Sequence, residues 1–594
     1  MDTGGPMDAG EAITTGVGAA GGDEASGAKE PLAPLPPPGR DTVAGLLATR
    51  AGDGRIGLVA GRSAWTWDQV VGESRARAAI ALAHRPADPG TPFHIGVLLP
   101  NVPEYLFWLG GGALAGAVVV GINPTRRGAE LARDITFTRC HLLVTDSAGA
   151  SLLDGLETGI TEERTIRIDR PAPPPATTGT ASTAPGPDEP AVPPRPDSLY
   201  LLLFTSGTTS APKAVRCTQG RLAEIAERAG QYYGFGPDDV CYCPMPLFHG
   251  NAIMALWAPA LAAGARVALA PAFSASGFVD DVRRHEATRF TYVGRALAYV
   301  LATEERPDDA DTPLRFGFGT EASARDRVEF ERRFGCTLVE GYGSSEGGLA
   351  INRSPDTPPG ALGRPTDDVV AVDPDTSRER ERARIGPDGR LENPAEAIGE
   401  LVNRSGPGSF EGYWRHPEAD ASRVRNGWYW TGDLGYVDED GFVWFAGRTD
   451  EWLRVDSENF AAAPIERILE RHPHVVAAAV YAVPDPRTGD QVMAAVELRP
   501  GVDPGTFAAG VGSFLANQAD LGTTWAPRFV RVLDALPLTA TGKITKSPLR
   551  ADAWQCSDPV FVRDGRELAY RTLVSADAAA LDAEVHAHGR LGQC

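Results

Sequence analysis

The sequence predicts an α/β fold in which a large N-terminal domain with several sheets is followed by a small α+β C-terminal domain. Apolar strands alternate with helices through most of the chain, which is typical of layered α/β domains. After Gly447 a shorter order of helix, strand, strand and helix follows. The 594 residues are 42% hydrophobic and 23% charged, an ordinary globular composition that can bury a large core without disulfides.

Two segments of biased composition interrupt this pattern. Residues 1–40 are rich in Gly, Ala, Pro and acidic residues, so we predict a disordered tail. They contain no basic start followed by an apolar run, so they do not resemble a secretory signal. Residues 171–197 are rich in Pro, Thr and Ala and are predicted to form a surface loop of the N-terminal domain, which spans residues 41–449.

The apolar stretches of the N-terminal domain are interpreted as helices that lead into strands. Residues 105–122 carry no charge over 18 residues, the lower limit for a membrane span, but we predict a buried helix over 103–115 followed by a strand. Residues 252–264 and 265–270 repeat that order. A buried strand is predicted over 199–204.

The small domain is predicted to cover residues 450–550, with residues 551–594 as a further C-terminal extension. Its boundary lies at the turn 447–450. Its predicted elements are a helix at 464–471, strands at 475–483 and 492–498, and a helix at 505–519.

Charge and cysteine usage exclude several classes of protein. The net charge of −21 argues against a nucleic-acid-binding surface. The seven cysteines are scattered and odd in number, which indicates a reducing cytoplasm. Cys241 and Cys243 lack the spacing of a zinc ribbon and are interpreted as strand residues.

Lysine is rare in this chain. The lysines are Lys29, Lys213, Lys543 and Lys546, and the other 53 cations are arginine. The two side chains are equivalent at many solvated positions but not at chemical ones. The last three lysines therefore mark candidate functional positions, against the alternative that a GC-rich genome left them by chance.

The segment 205–213 directly follows the predicted strand 199–204. Its first five residues are all hydroxyl-bearing or glycine, and such residues with exposed backbone N–H groups suit phosphate oxygens. Lys213 adds a point charge. The segment is not a P-loop, because Pro212 and Ala214 flank the lysine where that motif has Gly and Ser or Thr.

Three further matches are weak when taken alone. Residues 317–322 fit the dinucleotide fingerprint G-x-G-x-x-G/A, but no second mononucleotide-binding half accompanies them. Residues 343–347 fit the nucleophile elbow of hydrolases, but Pro355 soon ends the helix that an elbow requires. Asp433 offers a carboxylate at a predicted turn between aromatic-rich strands.

Taken in order, these segments resemble the adenylate-forming superfamily, which contains acyl-CoA synthetases, peptide-synthetase adenylation domains and luciferases. The resemblance covers about residues 41–550. Within it the chain is most similar to bacterial members of the very-long-chain acyl-CoA synthetase and fatty-acid-transport-protein branch, as residues 246–249 and the continuation to Cys594 indicate. The motifs in order are 205–213, 341–346, 431–434, 447–450 and 538–543.

The resemblance implies two half-reactions. A carboxylate attacks the α-phosphate of ATP to give acyl-adenylate and pyrophosphate, and the thiol of coenzyme A then displaces AMP. Since the first step brings two anions together, it depends on positioning and charge neutralisation. Lys543 would reach the substrate carboxylate and the α-phosphate, and Glu346 would bind Mg²⁺, which prefers oxygen ligands. The implied nucleotide-binding residues are Thr205, Ser206, Gly207, Thr208, Thr209 and Lys213 at the β- and γ-phosphates, Ser345 at the α-phosphate, Tyr342 and Gly343 with Gly319, Thr320 and Glu321 at adenine, and Asp433 with Arg448 at ribose.

The resemblance also implies roles outside the nucleotide site. His249 lies where the family has an aromatic or His gate to the acyl pocket, although a lone His beside aromatic residues is more often structural. Asp450 would be the hinge on which the small domain moves between the two steps. Ser457 and Glu458 would line the coenzyme A path, where Ser457 replaces a usual glycine. Lys546 falls where the family has a basic residue and is interpreted as a surface charge.

These implications predict an ATP-dependent fatty acyl-CoA synthetase, an acid–thiol ligase for long-chain or very-long-chain fatty acids. It would use ATP, Mg²⁺ and coenzyme A and bind no nucleic acid. One alternative is a fatty acyl-AMP ligase that delivers the acyl group to a carrier protein. Another is a non-enzymatic adenylate-binding relic, which would require a damaged site. A cytoplasmic location is expected, while peripheral membrane association, chain length and oligomeric state stay open.

Overall fold

The computed structural model describes most of the chain, in two compact units that are treated separately below. Unit 1 comprises Met1–Leu203, Cys217–Phe273 and Arg284–Phe290, and unit 2 comprises Phe204–Arg216, Ser274–Arg283 and Thr291–Cys594. The described residues are 32–86, 92–170, 194–205, 213–293, 296–320, 322, 324–374, 376–386, 391–448, 452–455, 458–485, 490–518, 521, 525–539, 542–563, 565 and 567–587.

Unit 1 is built from two mainly parallel sheets with helices between their strands. One sheet has the order β6-β5-β3-β4-β7, with β8 at its edge, and the other contains β2-β1-β10-β9 and the start of β11. The strands are β1 Ile56–Ala60, β2 Ser63–Thr66, β3 His94–Leu98, β4 Val118–Gly121, β5 Leu142–Thr145, β6 Thr165–Arg167, β7 Leu199–Phe204, β8 Ala214–Thr218, β9 Val240–Cys243, β10 Arg266–Leu269 and β11 Arg289–Val293. The helices are α1 Val43–Ala48, α2 Trp67–Ala83, α3 Pro103–Ala115, α4 Gly128–Phe137, α5 Ser147–Ser151, α6 Gln219–Tyr233, α7 Gly250–Ala252 and α8 Ala258–Ala263.

Local signals explain the helix α3, which the sequence predicts within the same bounds. Pro103 occupies its first turn, where a missing N–H costs nothing, and Gly116 ends it in the left-handed conformation at φ 60°. Gly110 permits close packing on α2, because a Cβ there would lie 2.2 Å from the Ser74 hydroxyl. The helix is buried and β4 follows it, as predicted.

Unit 2 contains three strands that carry candidate site residues and a separate antiparallel sheet. β12 runs parallel to β13, and β14 runs antiparallel to β13. The antiparallel sheet has the order β15-β16-β18-β17 with β19 paired to β18. The strands are β12 Phe316–Thr320, β13 Thr337–Gly343, β14 Ala350–Asn352, β15 Val369–Val372, β16 Gly399–Asn403, β17 Val424–Arg425, β18 Trp428–Val437 and β19 Val443–Arg448. The helices are α9 Phe278–His285, which crosses the unit boundary, α10 Ala296–Leu301, α11 Ala324–Phe334, α12 Pro394–Ala397 and α13 Pro417–Arg423.

The last part of unit 2 is an α+β arrangement, as the sequence predicts after Gly447. A hairpin β20-β21 precedes a sheet of order β22-β23-β24-β25-β26. The sheet includes strands from the predicted extension 551–594, so that extension continues the sheet. The strands are β20 Trp452–Val455, β21 Glu458–Ala461, β22 Val475–Pro484, β23 Asp490–Leu498, β24 Phe529–Leu533, β25 Val560–Arg563 and β26 Tyr570–Thr572. The helices are α14 Ala462–Glu470, α15 Pro504–Ala516, α16 Ser547–Asp552 and α17 Ser575–Ala587.

Three local predictions need correction or addition. Asp433 does not lie at a turn between strands, because β18 runs without interruption from Trp428 to Val437 with a register shift beside Asp433. Residues 32–40 are not a free tail, since Ala33 is buried and exchanges two hydrogen bonds with Arg75 of α2. The segments 1–31 and 171–193 lie outside the described residues.

The weak motif matches do not form their usual structures. Gly317 and Gly319 lie inside β12 and pair with β13, so they do not form a dinucleotide-binding turn. Residues 343–347 lead through a turn into β14 and open no helix, which excludes a nucleophile elbow. Cys241 and Cys243 are buried in β9, as predicted. Within the described residues, no helix is long and apolar enough to cross a bilayer.

Candidate active site

The carboxyl ends of two parallel strands organise the candidate site in unit 2. In the register of β12 and β13, Gly319 lies opposite Glu340. Thr320 is the last residue of β12, and Tyr342 is the last but one of the neighbouring β13. The backbone N–H of Ala322, just beyond β12, donates to Glu340 Oε1 at 2.8 Å. Ligands of open α/β sheets commonly bind at this edge.

A hydrogen bond joins two of the implied nucleotide-binding residues. The Tyr342 hydroxyl donates to Asp433 Oδ2 at 2.5 Å, although the residues are 91 positions apart. Burial and the nearby Asp433 carboxylate raise the pKa of the Tyr342 phenol well above its usual value. Tyr342 is therefore a neutral donor that fixes the carboxylate implied to bind ribose.

The backbone around Asp433 is also fixed. The Asp433 N–H donates to Thr431 Oγ1 at 3.0 Å, and that hydroxyl donates to the Leu401 carbonyl at 2.7 Å. Gly432 adopts φ 73° and donates its N–H to Glu400 Oε1 at 2.8 Å. Burial raises the pKa of Glu400. These bonds hold Gly432 in its left-handed conformation within β18, directly before Asp433.

The pairing of β18 with β19 places Asp433 directly opposite Arg448. This register agrees with the implied sharing of the ribose site between the two residues. It concerns the backbone alone, because the side chain of Arg448 lies outside the described part of the structure.

Glu346 is held by a second set of contacts. Its side chain is buried, and Oε1 accepts a hydrogen bond from the Tyr413 hydroxyl at 3.0 Å. Arg423 Nε donates to the same hydroxyl at 3.1 Å, and its Nη1 donates to the carbonyls of Trp430 and Thr431. Burial and the Glu346 carboxylate raise the pKa of Tyr413. Arg423 thus connects the implied magnesium ligand to the strand that carries Asp433.

We call Tyr342, Glu346, Tyr413, Arg423 and Asp433 the nucleotide cluster. Sequence reasoning identified three of them as site residues and missed Tyr413 and Arg423. Tyr413 belongs to a Gly-Tyr-Trp segment that matches the superfamily, so its presence was visible but its contact with Glu346 was not. Arg423 is one arginine among many, and no sequence signal distinguishes it.

The cluster suits a magnesium ion that arrives with ATP. Mg²⁺ is usually held by one or two carboxylates together with phosphate oxygens and water rather than by a protein cage. Glu346 supplies one such carboxylate, and only one of its oxygens is used by Tyr413 within the described chain. The described residues contain no group of three His, Cys, Asp or Glu side chains arranged to hold a metal.

The ends of the phosphate segment lie beside this cluster. The Thr205 N–H donates to the Lys213 carbonyl at 3.1 Å, which closes the segment at its base. The next residues form an antiparallel bridge between Val215 and Tyr413, and the Trp414 N–H donates to the Ala214 carbonyl at 2.8 Å. Lys213 therefore lies two residues before Val215, which pairs with Tyr413, the residue that supports Glu346.

Gly319 has a structural reason to lack a side chain. A Cβ at this position would lie 2.4 Å from the Tyr292 ring, which is fully buried. Tyr292 packs directly on the strand whose end is implied to meet adenine.

Lys543 lies on a short hairpin formed by residues 537–539 and 542–545, which we call the lysine hairpin. In it, Leu538 and Ile544 form an antiparallel bridge. The Lys543 N–H donates to Thr539 Oγ1 at 3.2 Å, and the Thr539 N–H donates to the Lys543 carbonyl at 2.7 Å. Gly542 turns the chain at φ 79°.

The prediction for Lys546 as a surface charge is wrong. Its Nζ lies 2.9 Å from Glu466 Oε1, and its side chain is only 10% exposed. A lysine held in this way is not available as a reacting amine in this arrangement.

His249 belongs to unit 1, where it precedes α7. Its backbone N–H donates to the Pro246 carbonyl at 3.1 Å, and its side chain is half-buried. These contacts are local, so the role of His249 as a gate to the acyl pocket stays a prediction.

Several implied residues lie where the structure gives no description. Glu458 begins β21, but its side chain is not described. The residues that lie wholly outside the described part are Ser206, Gly207, Thr208, Thr209, Glu321, Asp450 and Ser457. Gly343 is the last residue of β13 and directly follows Tyr342. Ser345 lies in the turn after β13.

Two family models match the sequence. The AMP-binding enzyme model matches residues 48–414, and the model of the AMP-binding enzyme C-terminal domain matches residues 464–543. The second match ends at Lys543, the last residue of the final motif.

The sequences of several named enzymes and of a transport protein are similar to this chain, in agreement with these matches. A steroid-22-oyl-CoA synthetase from Rhodococcus jostii is 55% identical over 93% of this chain and 98% of its own length. A medium/long-chain fatty acid–CoA ligase from Mycobacterium marinum is 44% identical over 88% of this chain and 99% of its own length. The human long-chain fatty acid transport protein 5 is 30% identical over 84% of this chain and 76% of its own length.

Solved structures show the same fold. MatB from Rhodopseudomonas palustris bound to ATP aligns with a TM-score of 0.68 at 24% identity, over 85% of this chain and 98% of MatB. At that identity the alignment supports the fold alone. The matched models and the near full-length similarity to the Rhodococcus protein show that this chain belongs to the AMP-binding enzyme family, the adenylate-forming superfamily.

Proposed function

We propose that this chain is an ATP-dependent acid–thiol ligase that forms an acyl-CoA ester through an acyl-adenylate. The observation that carries the proposal is the nucleotide cluster, in which the Tyr342 hydroxyl fixes Asp433 and Arg423 links the Tyr413–Glu346 pair to the same strand. Two carboxylates are thereby fixed near the edge of parallel strands, one suited to ribose hydroxyls and one to Mg²⁺.

In the first half-reaction, these residues position ATP and neutralise charge. Asp433 accepts hydrogen bonds from the ribose hydroxyls, and Lys213 compensates the charge of the phosphates. Glu346 would hold Mg²⁺, which supplies charge neutralisation at the leaving pyrophosphate. Lys543 brings a compact positive charge to the attacking carboxylate and the α-phosphate. Charges that are already in place lower the barrier without reorganisation.

In the second half-reaction, the acyl group passes to coenzyme A. The names of the Rhodococcus and Mycobacterium relatives describe CoA ester formation, which supports CoA as the acceptor over a carrier protein. Glu458 and Ser457 remain our candidates for the CoA path, and Asp450 for the hinge. The side chain at 457 is larger than the usual glycine, so Ser457→Gly should increase the rate of CoA use.

For the acid, we propose a steroid carboxylic acid ahead of a fatty acid. The relative named for a steroid acyl group is 55% identical over almost its whole length, whereas the relative named for medium or long chains is 44% identical. The long-chain or very-long-chain fatty acid predicted from the sequence is the second candidate. A rigid ring system and a flexible chain need pockets of different width, so one enzyme should discriminate between them.

Pyrophosphate release tests the proposal. The purified protein is given ATP, Mg²⁺ and one acid at a time: a steroid whose side chain ends in a C-22 carboxylate, decanoate or hexadecanoate, with and without CoA. We expect CoA-dependent AMP formation and a kcat/KM for the steroid acid at least about tenfold above either fatty acid. A preference for hexadecanoate would select the second candidate. Adenylate release with no thioester in the presence of CoA would reject the ligase proposal.

A further inference from the structure

The ion pair between Lys546 and Glu466 lies just beyond the lysine hairpin. The Nζ–Oε1 distance is 2.9 Å, and the two side chains are 10% and 17% exposed. Exposed ion pairs are common and contribute little, but enclosing both charges costs desolvation free energy. A charge needed only for solubility would stay at the surface. The burial of this pair therefore suggests that it holds nearby segments of the chain in place.

The Glu466 carboxylate is held from a second side. Its Oε1 also accepts the N–H of Val480 at 2.8 Å, which ties α14 to β22. Glu466 therefore offers Lys546 a fixed acceptor, and α14 itself begins directly after the hairpin β20-β21.

Lys546 is connected to Lys543 through a short and constrained chain. The Thr545 N–H donates to the Pro537 carbonyl at 2.9 Å and closes the base of the lysine hairpin. Lys546 is the N-cap residue of α16, and its carbonyl accepts the Arg550 N–H at 2.9 Å. An anchor at Lys546 thus acts on the end of the hairpin and not on a loose loop.

We propose that Lys546 and Glu466 are a positioning pair that sets where the lysine hairpin presents Lys543. Neither residue touches the reacting atoms. This inference rests on the proposed adenylating role of Lys543. If that role is correct, the pair matters in the half-reaction that needs Lys543 and not in the one that does not.

The test compares the two half-reactions in the full-length protein. Lys546→Met removes the cation, and Glu466→Gln removes the charge while keeping an acceptor for Val480. We expect pyrophosphate release to fall about ten- to hundredfold in each variant, since small displacements of a positioned group have effects of that size. Thioester formation from synthetic acyl-adenylate and CoA should stay within about twofold of the unmodified protein.

Matched controls separate positioning from general damage. Arg571→Met removes an ion pair with Asp577 in the same domain, but one whose arginine is 49% exposed, and it should change neither half-reaction. Lys546→Arg should restore most of the pyrophosphate release lost in Lys546→Met, because a guanidinium can still pair with Glu466.

Two different failures can be told apart by including Lys543→Ala. If Lys543→Ala loses pyrophosphate release but Lys546→Met and Glu466→Gln keep it, the positioning pair is overturned and the proposed function stands. An equal loss of both half-reactions in Lys546→Met and Glu466→Gln also overturns it, in favour of a purely structural pair. If Lys543→Ala itself releases pyrophosphate normally, both the adenylating role and this inference fail.

Discussion

The nucleotide cluster and the lysine hairpin are built in opposite ways. The cluster is assembled from β13 and the turn after it, the bridge residue Tyr413, α13 and β18. Its hydrogen bonds connect residues up to 91 positions apart. The hairpin is local: the bonds at its turn and base join residues within eight positions. Non-local polar contacts fix the positions of side chains relative to the core of a domain. A local hairpin, in contrast, can move as a unit with the domain that contains it.

The difference indicates how one protein can carry out both proposed half-reactions while the adenosine part of the nucleotide stays in one place. Groups that hold the nucleotide should be rigid, and the group needed in only one step should be on a separable element. Each prediction below tests that division, because cluster variants should affect nucleotide use and hairpin variants should affect adenylation alone.

The largest effect is expected from the hairpin. Lys543→Ala should reduce pyrophosphate release from ATP and acid by about a hundredfold or more, since one preorganised charge is worth that much. Given synthetic acyl-adenylate and CoA, the same variant should form acyl-CoA at a near normal rate. Lys543→Arg should also fail, because a wide planar fork does not replace a compact ammonium. Loss of thioester formation in Lys543→Ala would contradict the division.

The next effect is expected from the cluster. Asp433→Ala should raise the KM for ATP by about tenfold to a hundredfold, because the proposed charge-assisted hydrogen bonding to ribose would be lost at a net cost of about 1.5–3 kcal/mol. Asp433→Asn is the matched variant, since it keeps an acceptor for the Tyr342 hydroxyl and removes only the charge. Steady-state kinetics at varied ATP measures both. An unchanged KM in Asp433→Ala would show that this carboxylate does not bind the nucleotide.

A smaller effect tests the support of Glu346. Tyr413→Phe removes the hydroxyl that donates to Glu346 and accepts from Arg423. We expect the Mg²⁺ concentration for half-maximal pyrophosphate release to rise about five- to tenfold, as for the loss of one hydrogen bond with a net worth of about 1–1.5 kcal/mol. Tyr429→Phe provides a neighbouring control. If the Mg²⁺ dependence is the same in Tyr413→Phe, Glu346 is not the metal ligand or needs no support.

The smallest effect tests the hairpin backbone. Gly542 adopts φ 79° with open space around it, so Gly542→Ala strains the backbone without a clash. A cost of about 1–2 kcal/mol should lower the population of the hairpin and reduce pyrophosphate release a few-fold. Gly501→Ala is matched, because Gly501 lies in the same domain at φ 84° with equally open space. A similar loss in both variants would indicate general destabilisation.

The sequence was sufficient for elements whose signals are local. Helix α3 and strand β7 have the predicted bounds. The helix is bounded by Pro103 and Gly116, and the strand is an unbroken apolar run, so both signals are present in the local sequence. The motifs also identified Tyr342, Glu346 and Asp433. Their mutual contacts were not predictable, since they depend on how distant strands pair.

The polar supports of the site were the main omission. Arg423 and Glu400 act through the carbonyls and N–H groups of residues 430–432, and such contacts leave no residue pattern. The ion pair of Lys546 with Glu466 was not predictable, because the two residues are eighty positions apart in the chain. Burial of a charged side chain is a property of the folded chain and is not readable from its neighbours.

The strands β25 and β26 determine how far this protein can be truncated at its C-terminal end. They cover the edge of β24, and Arg531 of β24 pairs with Asp558, which precedes β25. A chain cut after residue 550, where the predicted small domain ends, would leave unpaired the backbone N–H and carbonyl groups of β24 that face β25. Such an edge is a template for strand addition between molecules, so truncation should produce aggregation before it produces inactivity.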